Sequence, residues 1–91
     1  MAVLVTTDIY GKTQLGYDEL LSKIKPSFKE TPGLILHSSH RIRDGWRIIE
    51  VWKSKAEASE FFRGTVVPNL PSSRKPMRSF QDLHSCVKGR R

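Results

Sequence analysis

The chain has little cysteine and none of the common motifs of metal, nucleotide or hydrolase sites. Cys86 is the single cysteine among 91 residues, which excludes an internal disulfide and a zinc site built on paired cysteines. His37 and His40 lie three apart on a predicted strand, so they point to opposite faces and do not share one metal ion. No G-x-G-x-x-G or G-x-S-x-G pattern is present. We therefore predict no metal site.

The chain also lacks a long apolar run. Its start, MAVLVTTDIY, has no basic residues and reaches Asp8 after seven residues, too short for a signal peptide or a membrane span. We interpret this stretch as a first strand. The expectation is a cytoplasmic protein with no membrane partner.

Acidic residues are outnumbered by basic ones, 9 to 16, which gives a formal charge of +7. Such a charge favours anionic partners over long range. Many of the basic residues, however, lie in the last fifth of the chain. There they surround a loop predicted over 70–77 and form a tail over 88–91, where side chains are usually solvated. The charge alone does not predict nucleic-acid binding.

The length fits a single domain over 1–91 with one core. Alternating apolar residues predict strands, and apolar residues at intervals of three and four predict helices. Pro26 should kink the first helix or fray its last turns, because it lacks an N–H and clashes with the preceding turn. In chain order we predict a strand over 2–9, a helix over 13–29, strands over 34–43 and 46–53, a helix over 54–67 and a strand over 78–87.

The two central strands form a predicted hairpin. Asp44-Gly45 favours a two-residue type I′ turn, because both central residues of that turn need positive φ. The register then pairs Arg43 with Trp46, Arg41 with Ile48, Ser39 with Glu50 and His37 with Trp52. One face therefore carries Ile35, His37, Ser39, Arg41, Trp46, Ile48, Glu50 and Trp52. The reverse face carries Leu34, Leu36, Ser38, His40, Ile42, Arg47, Ile49 and Val51.

The order strand, helix, strand, strand, helix, strand predicts an α+β fold. With right-handed crossovers it gives the ferredoxin-like βαββαβ arrangement, a four-stranded antiparallel sheet with both helices on one face. Apolar residues also occur on the opposite face, and a short chain gains stability from burial between subunits. We expect a second copy to cover that face, as a homodimer packed through the sheets.

Glu50 is the most informative residue for function, because a carboxylate between apolar strand residues needs a partner. The predicted register supplies Ser39, His37 and Arg41 nearby, so an acid–base role is one interpretation. A Glu–Arg bridge that stabilises the hairpin or the dimer is the other. The neighbouring Trp46 and Trp52 are similarly open to two interpretations, a ligand platform or ordinary core.

The chain resembles the dimeric α+β barrels related to antibiotic biosynthesis monooxygenases. The resemblance rests on the AVLV strand, the helix with Tyr17, Leu20 and Leu21, the Thr31-Pro32-Gly33 break, and GWRIIEVWKSKAEASEFF. Its most specific part is Glu50-x-Trp52-x-Ser54, followed by a helix that contains Phe61.

This resemblance implies a dimer with a cavity between sheet and helices in each subunit. It also implies a cofactor-independent oxygenase of aromatic or polyketide-like molecules. Such an enzyme needs no cofactor, because an ionised substrate can itself pass an electron to O₂. Glu50 and His37 fit the catalytic role by residue type and are the predicted catalytic residues. The predicted substrate-binding residues are Trp46, Trp52, Ser39, Arg41, Phe61 and Phe62.

Four alternatives remain. Haem degradation is disfavoured, since Thr7 or Asp8 stands where that branch has an asparagine and Phe61 or Phe62 where it has a tryptophan. An isomerase or cyclase, or a non-catalytic dimer, fits the same scaffold. RNA binding through the same element order is disfavoured, because Ile48 stands where a stacking aromatic is needed and Glu50 would repel phosphates.

Overall fold

The structure is a computed structural model of the chain, and it describes residues 2–71, 75–87 and 89. In chain order its regular elements are β1 (Val3–Tyr10), α1 (Gln14–Ile24), a 3₁₀ segment (Lys25–Glu30), β2 (Leu34–Ile42), β3 (Gly45–Trp52), α2 (Lys55–Phe61), a π-helical turn (Phe62–Val66), a second 3₁₀ segment (Val67–Asn69) and β4 (Met77–Asp82).

The four strands form one antiparallel sheet in the order β2-β3-β1-β4. Both helices pack on the same face, which we call the inner face. The opposite face, called the outer face, carries no element of the described chain. This is the predicted ferredoxin-like α+β fold.

The first helix begins where the sequence predicts and ends earlier. Thr13 caps it, because the Thr13 hydroxyl accepts a hydrogen bond from the Gly16 N–H at 3.1 Å. The α-helix ends at Ile24, and the 3₁₀ segment that follows contains Pro26. Since proline has no N–H to donate to the preceding turn, the chain tightens here and the predicted α-helix to residue 29 is too long.

The second helix is also interrupted. Ser54 caps it by accepting from the Glu57 N–H at 3.2 Å, and the Ser54 hydroxyl donates to the Glu57 carboxylate at 2.8 Å. After Phe61 the backbone widens into the π-helical turn, where the sequence predicts a continuous helix. No residue pattern in this stretch marks that change.

The hairpin turn is formed by Arg43 and Asp44, with Ile42 paired to Gly45. No residue other than glycine has positive φ in the described chain, so the predicted type I′ turn at Asp44-Gly45 is wrong. Gly45 is required for another reason. A Cβ at this position would lie 2.3 Å from the carbonyl oxygen of Ile9, so only glycine permits this approach of β1.

The shift of the turn moves the register by two residues. His37 pairs with Glu50 and Ser39 with Ile48, where the prediction has Trp52 and Glu50 as their partners. Because side chains alternate with a period of two, a two-residue shift leaves each of these side chains on its predicted face. One exception is Leu34, which a bulge between Leu34 and Leu36 brings into the core cluster on the inner face.

The last strand is shorter than predicted, since β4 ends at Asp82 and residues 83–87 lie outside the sheet. Within the predicted loop over 70–77, residues 72–74 lie outside the described residues, and so do 88, 90 and 91 of the predicted basic tail.

The core lies between the inner face and the helices, in two clusters. The larger joins β1, β3 and both helices, and Trp52 at its centre has no exposed surface. The smaller consists of Ile9, Tyr17, Trp46 and Ile48. The line of polar side chains described next lies on the same inner face.

Candidate active site

Four side chains form a hydrogen-bonded line from the core to the edge of the sheet. The Trp52 indole donates to Glu50 Oε1 at 3.0 Å. The other carboxylate oxygen of Glu50, Oε2, lies 2.6 Å from His37 Nδ1. At the far side of the imidazole, His37 Nε2 lies 2.6 Å from the Tyr17 hydroxyl. We call Tyr17, His37 and Glu50 the relay.

The sheet and the first helix position the relay. His37 on β2 is directly paired with Glu50 on β3, so their side chains leave the same face side by side. Trp52 is two residues after Glu50 and shares that face. Tyr17 lies on the buried side of α1 together with Leu20 and Ile24, at helical spacing.

Aromatic packing fixes the imidazole and the phenol. The Tyr17 ring stacks on Trp46 with centroids 5.5 Å apart and on His37 with centroids 6.1 Å apart. Phe28, from the 3₁₀ segment after α1, also contacts the His37 ring, with centroids 5.1 Å apart. With rotamers limited in this way, His37 keeps both of its ring nitrogens directed at fixed partners.

The relay reaches the surface at a groove between α1 and β2, which is an edge strand of the sheet. This α1–β2 groove has a volume of about 630 Å³, within the range of sites for small organic molecules. Tyr17, Leu21, Lys25 and Phe28 line its helical side, and residues 34–39 line its strand side. Tyr17 and His37 therefore meet the groove, while Glu50 stands behind them.

Burial and charge set the electrostatics of the inner face. Burial raises the pKa of Tyr17 above its ordinary value, and the negative charge of Glu50 adds to this, whereas a hydrogen bond with Ser39 opposes it. On β4, burial lowers the pKa of Arg78, and Glu50 partly offsets the effect. The Arg78 guanidinium lies over the rings of Phe62 and Phe80, at 3.9 and 4.9 Å from their centroids.

The structure brings some of the predicted site residues together and separates others. His37 and Glu50 are in direct contact, and Ser39 lines the same groove. Arg41 and Trp46 line a smaller pocket of about 230 Å³ at the hairpin end of the sheet. Of the remaining predicted residues, Phe61 lines a separate pocket of about 310 Å³, Trp52 is in the core, and Phe62 lies under Arg78.

Sequence reasoning missed Tyr17, Lys25 and Phe28 as site residues. Tyr17 and Phe28 fit the apolar stripe of a helix, and nothing in that spacing marks them as more than core. The one available signal is chemical, because a buried tyrosine hydroxyl needs a polar partner that leucine or isoleucine at the same position would not need.

Within residues 2–71, 75–87 and 89, no group of three His, Cys, Asp or Glu side chains is placed to hold a metal ion. Nor does any helix in that part of the chain have the length and apolar character needed to span a bilayer.

Comparison with known structures places this fold beside an oxygenase. The chain is similar to SnoaB, a cofactor-independent oxygenase from Streptomyces nogalater, with a TM-score of 0.69 and 11% sequence identity over 97% of this chain and 98% of that one. A mutant of the same enzyme gives a TM-score of 0.65 at 11% identity, with 97% of each chain covered.

A conserved protein from Methanosarcina mazei Go1 is also similar, with a TM-score of 0.58 and 15% identity over 89% of this chain and 92% of that chain. No protein-family description and no curated protein matches the sequence. At these identities the likeness establishes the fold alone.

Proposed function

We propose that the chain binds a small, largely apolar aromatic or polyketide-like molecule in the α1–β2 groove and removes a proton from it, as the first step of a cofactor-independent oxygenation. The base is centred on His37, and Glu50 orients and stabilises it. The hydrogen-bonded relay that ends at the groove is the observation that carries this proposal. The oxygenase with the same fold supports the choice of reaction.

The relay has the parts that a base needs. Glu50 accepts from His37 and from Trp52, so its negative charge is held by two donors and faces the imidazole. A proton taken up by the imidazole would form an imidazolium directly beside the carboxylate of opposite charge. The side chains of His37 and Glu50 are only 9% and 10% exposed, which limits screening of this interaction by water.

The proposed oxidation balances with O₂ as the only co-reactant. A CH₂ group flanked by electron-rich rings loses a proton to the base, and the resulting carbanion transfers electrons to O₂. One oxygen atom becomes the new C=O oxygen, and the other leaves as water with the two hydrogens of the CH₂ group. The protein supplies binding, a dry site and the base.

Dithranol, a 1,8-dihydroxyanthrone with such a CH₂ group, is a suitable probe. Oxygen uptake and exchange of the CH₂ hydrogens with D₂O are measured for the wild type, His37→Asn and Glu50→Gln, with the spontaneous reaction subtracted. His37→Asn keeps a donor toward Glu50 and removes the acceptor nitrogen. Both variants should lower exchange and uptake by about 100-fold or more, and unchanged rates in both would overturn the proposal.

The matched control is His40→Asn. His40 is exposed on the outer face, three residues from His37 on the same strand. Its substitution should leave both rates unchanged.

An isomerase or cyclase would use the same base without consuming O₂. The dithranol experiment separates the two functions, because exchange without oxygen uptake would favour the isomerase or cyclase. A protein that binds dithranol and changes neither rate would be a non-catalytic binder. RNA binding gains no support from β3, because Trp46 and Trp52 lie on the inner face, and Arg47, Ile49 and Val51 lie on the outer face where bases would stack.

A second copy of the chain is the proposed partner. The outer face carries apolar side chains on three strands, among them Leu4, Leu36, Ile42 and Ile49, and Leu36 is 53% exposed. Packing against the same face of another subunit would remove this surface from water. The expected assembly is a homodimer with the two sheets in contact.

A further inference from the structure

We propose that Tyr17 is the catalytic residue that meets the substrate, and that its hydroxyl takes the substrate proton while passing its own proton to His37. This inference rests on the proposed function, since it uses the same base. It adds the contacting group and the class of molecule that the groove accepts.

The direction of the hydrogen bonds follows from which groups can donate. Trp52 Nε1 can only donate, so Glu50 Oε1 accepts from it. An ionised carboxylate accepts at both oxygens, so Oε2 accepts from Nδ1–H of His37. In a neutral imidazole the second nitrogen then has a lone pair, and His37 Nε2 accepts from the Tyr17 hydroxyl.

This arrangement makes a direct approach of the substrate to His37 Nε2 unnecessary and sterically unfavourable. Nε2 is already occupied by the Tyr17 hydroxyl at 2.6 Å, and Phe28 covers the ring of the same histidine. Tyr17 itself lines the groove. After donating to His37 and accepting from Ser39, the Tyr17 oxygen keeps one lone pair, which can accept the proton of a bound molecule.

The proton step conserves atoms and charge. The substrate O–H or C–H bond breaks and its proton bonds to the Tyr17 oxygen, while the Tyr17 O–H bond breaks and that proton bonds to His37 Nε2. The products are a substrate anion in the groove, a neutral Tyr17 and a His37 imidazolium between Tyr17 and Glu50. The new positive charge therefore forms next to the carboxylate that stabilises it.

The lining of the groove indicates the substrate class. Leu21, Phe28, Leu34 and Ile35 provide apolar surface, and Lys25 is exposed at the helical side. An ammonium group there favours a bound anion over the neutral molecule. The class that fits is an apolar, ring-containing molecule with one acidic hydroxyl or activated CH₂ group, bound as its anion.

The probe for this inference is 4-nitrophenol, an aromatic ring with one acidic hydroxyl, whose anion is yellow and whose protonated form is not. At a pH where the free dye is mostly protonated, wild-type protein should bind it and increase its ionised fraction. Tyr17→Phe keeps the aromatic ring against Trp46 and His37 and removes the hydroxyl. This variant should bind the dye within about threefold of the wild-type affinity and lower the ionisation by about tenfold.

The possible outcomes are distinct. Equal ionisation in wild type and Tyr17→Phe, together with loss in His37→Asn, would overturn the role of Tyr17 and leave the proposed base intact. Ionisation that persists in both variants would overturn the base as well. A wild type that binds no dye, or binds it only in the protonated form, would overturn the proposed substrate class and the Tyr17 step. Circular dichroism of each variant confirms that it is folded.

Discussion

Two acid–base pairs join neighbouring strands of the sheet, one on each face. His37–Glu50 links β2 to β3 on the inner face, and Asp8–Arg47 links β1 to β3 on the outer face. Both consist of directly paired cross-strand residues. They differ in enclosure, because the inner side chains are about 10% exposed, whereas Arg47 is 38% exposed.

The two pairs also differ in what remains available for chemistry. Arg47 contacts both oxygens of Asp8, at 2.7 and 2.8 Å, and a guanidinium does not release a proton near neutral pH. His37 contacts one oxygen of Glu50 and has a second nitrogen that reaches Tyr17. The outer pair can therefore only hold strands together, and the inner pair can transfer a proton as well.

The largest expected difference between the faces is in stability. Glu50→Ala leaves the indole N–H of Trp52 and the Nδ1–H of His37 buried without an acceptor, which should lower the free energy of unfolding by about 3 kcal/mol. Asp8→Ala should cost much less, since Arg47 can turn to water. Urea denaturation of both variants measures the difference. Equal losses would mean that the inner pair is no more enclosed than the outer one.

The second prediction concerns assembly through the outer face. Ile49→Glu places a carboxylate in the middle of the proposed interface, once per subunit, and should weaken the dimer by about 100-fold. Sedimentation equilibrium measures the dissociation constant. Gln14→Glu is the control, because it adds the same charge on an exposed position of α1. An unchanged constant in Ile49→Glu would place the interface elsewhere or show that the chain does not dimerise through its sheet.

A third, smaller effect distinguishes the inner face at high pH. Burial raises the pKa of Tyr17, so the folded chain holds the phenol proton at a pH where the unfolded chain has lost it. The resulting stability is fully present below about pH 10, the ordinary tyrosine value, and is lost as pH rises through the folded-state pKa. The alkaline fall in stability should be shallower in Tyr17→Phe. Identical alkaline slopes in denaturant midpoint would contradict this.

The smallest effect belongs to the outer face at low pH. Hydrogen bonding by Arg47 lowers the pKa of Asp8, so this pair contributes stability above the ordinary aspartate value of about 4. That contribution disappears as pH falls through the folded-state pKa. Asp8→Asn should be slightly less stable than the wild type near neutral pH and equal to it in strong acid. A constant difference at all pH values would exclude titration of Asp8 as the cause.

The sequence predicted which face of the hairpin each side chain occupies better than it predicted which residues pair across the two strands. A wrong turn displaced the register by two residues, yet His37, Ser39 and Glu50 kept their common face because strand side chains alternate with a period of two. The same shift changed which residue is opposite Glu50. The direct His37–Glu50 contact was therefore expected only as a diagonal one.

The sequence did not predict the contacts between elements that are distant along the chain. Tyr17 meets His37 across 20 positions, and this meeting depends on how α1 lies over the edge of the sheet. Apolar spacing predicted that Tyr17 is buried and could not predict what its hydroxyl touches. The inward turn of Leu34 likewise depends on a bulge that has no mark in the residue pattern.

The protonation of His37 tests the central claim most directly. Long-range ¹H–¹⁵N NMR at pH 8, where a histidine in water is neutral, distinguishes the two ring nitrogens. The relay predicts a proton on Nδ1 and a hydrogen-bonded lone pair on Nε2, with the Nε2 resonance shifting in Tyr17→Phe. A proton on Nε2 with Nδ1 unprotonated, or no response to Tyr17→Phe, would contradict the relay.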